Sequence, residues 1–172
     1  MRDHPHSTAK IGGHPIHPML IPFPIVFLIS TLFCDIAYWF TAGAGWATAA
    51  IWLLGASLVT AAAAAVAGFT DFLGSERIRA MSDAWQHMIG NVIAVVLALV
   101  SFGLRFAYGA EAMVLPWGLL LSLAIVAILL FTGWKGGEMV YVRGVGMEGH
   151  APEAATGTLS DEARRDRDRR AA

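Results

Sequence analysis

The chain has 172 residues, 56% of them hydrophobic and 15% charged, with mean hydropathy +0.59 and net charge −1. That charge fraction is well below the roughly 25% of soluble domains, and no global field favours nucleic acid. One cysteine, Cys34, lies in an apolar run, and there is no CxxC or CxxCH. A disulfide framework and covalent c-type haem are therefore excluded.

Residues 1–12 are polar and include Arg2, His4, His6 and Lys10. They lead into Gly13-His14-Pro15-Ile16-His17-Pro18-Met19-Leu20-Ile21-Pro22-Phe23-Pro24. Each proline fixes its own φ and biases the preceding residue toward extended geometry. Pro15 and Pro18 are expected to rule out a well-formed helix there, so His14 and His17 sit on a stiff, partly extended segment at the mouth of an apolar region. Residues 1–18 thus read as an N-terminal segment, 19–147 as a transmembrane domain and 148–172 as a tail.

Four apolar stretches follow, at about 24–41 (or from Met19, if the prolines sit in the first turn), 46–69, 84–107 and 112–133. Each is close to the roughly 20 residues that cross a hydrocarbon core of about 30 Å. The first has no small-residue cleavage site after it and reads as a retained helix. The links at 42–45 and 108–111 are short, so neighbouring helices run antiparallel. The expected fold is all-α, an integral membrane up-down four-helix bundle. Trp39, Trp46 and Trp117 fall at one expected membrane face, Trp85 and Trp134 at the other, as in an aromatic belt.

Arg2, Lys10, Arg77, Arg79, Lys135 and Arg143 lie on one side, and only Arg105 on the other. The positive-inside rule then places both termini, and the proline-histidine stretch, in the cytoplasm. The fourth helix either stops near Gly136-Gly137 or continues to about Tyr141. The tail, rich in Ala, Glu, Asp and Arg, is expected to be disordered and solvated.

Polar groups inside spanning helices are costly and so become candidates for function. His87, Asn91, Ala94, Ala98, Ser101 and Arg105 form one stripe of the third helix, which must face the bundle interior. Asp35 and Arg105 are both expected near the far ends of their helices, either as a buried ion pair or snorkelling separately. At the opposite side His14, His17, Asp71 and His87 come to similar depth. Nitrogen ligands with one carboxylate suit a transition metal. Two histidines on different helices also suit axial ligation of a non-covalent haem b, with Arg77, Arg79 or Lys10 pairing its propionates. Asn91, one turn from His87, is placed to support it. The same residues suit a proton relay, or helix-end anchors that bond backbone groups freed by the prolines.

His17 to Asp35 spans 18 residues, as does His87 to Arg105. That echo reads as coincidence. No Walker loop, nucleotide-binding glycine fingerprint or H-E-x-x-H is present. The expected partners are the lipid bilayer and either a membrane protein or a second copy of the chain.

Two stretches carry a family resemblance. The first is Gly13 to Ile25, with its doubled His-Pro motif. The second is Gly133-Trp134-Lys135-Gly136-Gly137-Glu138-Met139-Val140-Tyr141 with Gly144-Val145-Gly146. Asp35, Gly68 to Asp71, His87 and Asn91 agree with it. The chain resembles the DUF2231 family of bacterial four-helix membrane proteins over about residues 11–147. Many members carry His where this chain has Pro22. The resemblance implies the architecture and adds no activity.

Overall fold

The computed structural model describes residues 5–147. The tail expected to be disordered lies outside the described residues. A two-residue hairpin pairs β1 (Lys10–Ile11) with β2 (His14–Pro15), turning through Gly12 and Gly13, which both have positive φ. The helices are α1 (Ile16–Leu20), α2 (Pro22–Thr41), α3 (Ala44–Gly74), α4 (Glu76–Arg79), α5 (Ser82–Tyr108) and α6 (Leu119–Gly137). A π-helical turn at Glu138–Val142 extends α6 at its C-terminal end, whereas Val114–Gly118 leads into α6 across a kink at Leu115, whose backbone is extended (φ −117°, ψ 134°). The fourth helical run therefore continues past the paired glycines.

One expectation is corrected at the start of this series. Pro15 and Pro18 were expected to rule out a well-formed helix, yet α1 begins directly after Pro15 and contains Pro18. Pro18 sits in the first turn, where backbone N–H groups have no intrahelical partner, so its missing N–H costs nothing. Pro22 opens α2 for the same reason. The Ile16 N–H is satisfied by the Ala9 carbonyl at 2.9 Å.

Four helical runs are long and apolar enough to cross a membrane: Ile16–Thr41, Ala44–Gly74, Ser82–Tyr108 and Val114–Val142. Together they make an up-down bundle. α2 packs most extensively on α3, and α5 on α6. The two hairpins then meet through α2 on α6 and α3 on α5, leaving α2 and α5 on a diagonal. Alanine and other small residues fill the seams, which lets backbones approach where lipid supplies no hydrophobic drive. An apolar middle layer holds Leu28, Leu54, Ala94, Ala98 and Ile125. The outer faces remain apolar, with Val59, Val66 and Leu130 each at least 70% exposed. That is the surface of a membrane protein, whose backbone polar groups are satisfied within its helices.

Candidate functional site

The two ends of the bundle interior are polar. At one end the His17 and His87 rings lie edge-on to one another, with centroids 6.2 Å apart and planes at 83°. His17 Nδ1 lies 2.8 Å from the Ala64 carbonyl on α3, and His87 Nδ1 lies 2.8 Å from the Thr132 carbonyl on α6. A carbonyl oxygen only accepts, so each Nδ1 carries the proton and donates. A neutral imidazole then presents its lone pair at Nε2. A backbone carbonyl on one ring nitrogen is the usual means of fixing tautomer and orientation in a ligating histidine.

Two glycines make these contacts sterically feasible. A Cβ on Gly68 would lie 2.9 Å from His17 Nδ1, and one on Gly136 would lie 3.2 Å from His87 Nδ1. Each glycine sits one turn beyond the accepting carbonyl, so the ring lies over bare backbone. Asn91 supports the arrangement. Its Nδ2 donates to the His87 carbonyl at 2.8 Å, and its Oδ1 accepts from Thr132 Oγ1 at 3.2 Å.

The other expected site residues lie elsewhere. His14 is exposed on β2. Asp71 Oδ1 accepts from Ser7 Oγ and from the Thr8 and Ala9 N–H groups at 2.7–2.8 Å, tying the N-terminal segment to α3. Arg79 donates to the Phe72 and Leu73 carbonyls and lies 3.9 Å from Glu76. Among the described residues no three His, Cys, Asp or Glu side chains are grouped to hold a metal ion. The structure thus brings together His17 and His87 alone of the four expected ligands.

Residues 13–149 match the family model described as "Predicted membrane protein (DUF2231)". The chain belongs to that family. No curated protein and no solved structure matches it. The stretches that carry the family resemblance converge at the histidine end, where Gly68 adjoins His17 and Gly136 adjoins His87. That end also holds an ionic cluster which sequence reading missed. Asp83 binds Lys135 at 3.1 Å and Arg143 at 2.5 Å, and Lys135 reaches Glu138 at 3.0 Å. Its only sequence signal was an aspartate at the start of α5 and basic residues after α6.

At the far end Arg105 Nη2 donates to both Asp35 oxygens, at 2.8 and 2.7 Å, and Ser122 Oγ donates to Asp35 Oδ2 at 2.8 Å. Both charged side chains are fully buried. The choice between pairing and snorkelling is settled in favour of the pair.

Proposed function

We propose that this membrane protein holds one metal centre between Nε2 of His17 and Nε2 of His87, in the form of a b-type haem. The observation that supports this is the pair of imidazoles, each tied at Nδ1 to a carbonyl of a different helix. An ion bonded to two opposed imidazoles at about 2 Å each needs ring centres roughly 6 Å apart. Two protein ligands alone do not complete an ordinary structural metal site. They do complete an iron whose other four ligands come from a porphyrin. His17 and His87 would hold such a haem, and it would supply one-electron transfer. A lone copper(I) ion is the other centre that two imidazoles can hold.

The protein purified in detergent should show a Soret band, intrinsically or after adding haemin. His17→Ala and His87→Ala should each abolish it while far-ultraviolet circular dichroism keeps its helical signal. Copper in a colourless preparation would move the reading to the ion. A helical protein that takes up neither haem nor copper(I) would overturn it. The histidines would then be helix-end anchors in a non-catalytic scaffold or partner subunit. The reading also includes a bacterial inner membrane with both termini cytoplasmic, supported by Arg77, Arg79, Lys135 and Arg143 at the histidine end.

A further inference from the structure

The burial pattern of α2 recurs in α5. Over residues 21–28 and 91–98 the order of buried, half-buried and exposed positions is identical. Pro24, Leu28, Thr31 and Asp35 are buried, and so are Ala94, Ala98, Ser101 and Arg105, each seventy residues further on. The second helix of each hairpin behaves alike. Ala50, Leu54, Ser57 and Ala64 are buried, and so are Gly118, Ser122, Ile125 and Thr132, each sixty-eight further on. The difference of two falls in the links between the helices. Some positions differ: Ala47 is buried where Leu115 is exposed, and Cys34, Ala61 and Ala67 are buried where Leu104, Leu129 and Lys135 are half-buried.

The packing obeys the same relation. Exchanging the hairpins turns the contact of α2 on α6 into that of α5 on α3, and both are present. Equivalent residues also meet each other across the diagonal, His17 meeting His87 and Asp35 meeting Arg105, so the 18-residue echo that reads as coincidence in the sequence alone follows from the repeat. A residue that touches its own equivalent lies beside a two-fold axis. The axis therefore passes through the histidine pair and the ion pair. Since α2 and α5 run in the same direction, it lies along the bundle, as in parallel membrane repeats.

We infer that the protein is a fused pair of equivalent helical hairpins, and that its ligand site is two half-sites facing each other across this axis. One half-site is His17, the Ala64 carbonyl and Gly68. The other is His87, the Thr132 carbonyl and Gly136. Ala64–Gly68 and Thr132–Gly136 are the positioning turns, and the site takes a ligand of two-fold symmetry centred on the axis. The nature of that ligand rests on the haem reading, whereas the equivalence of the hairpins does not. The far end is where the halves have diverged. Two identical charges cannot pair there, and the surroundings have followed. A Cβ on Gly118 would clash with the Arg105 guanidinium, whereas its equivalent is Ala50. Ser122 donates to Asp35, whereas its equivalent is Leu54.

The test transposes this end in the full-length protein. One variant exchanges only the charges, Asp35→Arg with Arg105→Asp. A second adds the equivalent neighbours: Ala50→Gly, Gly118→Ala, Leu54→Ser and Ser122→Leu. Thermal unfolding in detergent is the readout, and it needs no metal, so the fate of the haem reading does not decide the result. The two-site variant should melt at least about 10 °C below wild type or fail to fold, and the six-site variant should return to within about 4 °C. Equal melting of the two variants, or failure of both to fold, would overturn the equivalence.

Discussion

A guanidinium and a carboxylate meet at the far end of the bundle with no exposed surface on either side chain. Each alone would cost about 2.5–3.5 kcal/mol at the centre of a spanning helix on insertion scales. Together they are neutral, but the geometry is not a two-pronged fork. A single nitrogen, Nη2, serves both carboxylate oxygens, and Arg105 Nε and Nη1 have no hydrogen-bond partner among the described residues. A buried pair of this kind adds little over an apolar pair of similar volume, yet breaking it strands a charge. Arg105→Ala should therefore destabilise the protein by about 3–5 kcal/mol. Asp35→Ala with Arg105→Ala should cost less than the Arg105 change alone. Ser122→Ala removes one hydrogen bond to a charged group and should cost about 1.5–3 kcal/mol. Unfolding in detergent checks all three. A double variant as damaged as the sum of its singles would show that the two charges are not coupled.

At the scale of the helix, four glycines of similar propensity should respond in opposite ways. A Cβ at Gly103 or Gly133 meets nothing within 4 Å. Alanine there should stabilise by about 0.5–1 kcal/mol, the ordinary gain in a helix. Gly68→Ala and Gly136→Ala carry the same propensity gain but push into the imidazole rings. Both should lower the melting temperature, and both should shift the spectrum of any centre bound at the histidines. Stabilisation by all four would mean that the rings are free to move aside. The special glycines could not be told from the open ones in the sequence, because what distinguishes them is a ring arriving from another helix. The spans were legible because length and hydropathy are local properties. The stripe from His87 to Arg105 was legible because helical periodicity is local too. Pro15 is extended as expected, but reading Pro18 as helix-breaking had a local cause as well: a proline is excluded from a helix interior but not from its first turn, and α1 is little more than a first turn. Asp71 had the composition of a ligand, but its partners, Ser7 to Ala9, are more than sixty residues away.

For the molecule as a whole, four spans return the chain to the side on which it began. The two ends of the bundle differ sharply in basic residues. Arg77, Arg79, Lys135 and Arg143 gather at the histidine end, whereas Arg105 at the other end is sealed into its pair with Asp35. Lys135 and Arg143 are both paired with acidic groups, which would weaken an argument from net charge. Orientation does not follow net charge, however. It follows the bias of lysine and arginine near span ends, to which aspartate and glutamate contribute little. The repeat sharpens the point. Two equivalent hairpins have both outer turns, around Gly43 and Gly109, on one side, so the basic link at Ser75–Met81 and both ends of the described residues share the other. A periplasm-dependent reporter such as alkaline phosphatase should therefore be active when fused at Gly43 or at Gly109. It should be inactive in the Ser75–Met81 link and at the C-terminus. Activity at the link and the C-terminus, with silence at both glycine turns, would invert the orientation and leave the bundle intact. A mixed result, with the two glycine turns on opposite sides, would break the four-span bundle itself.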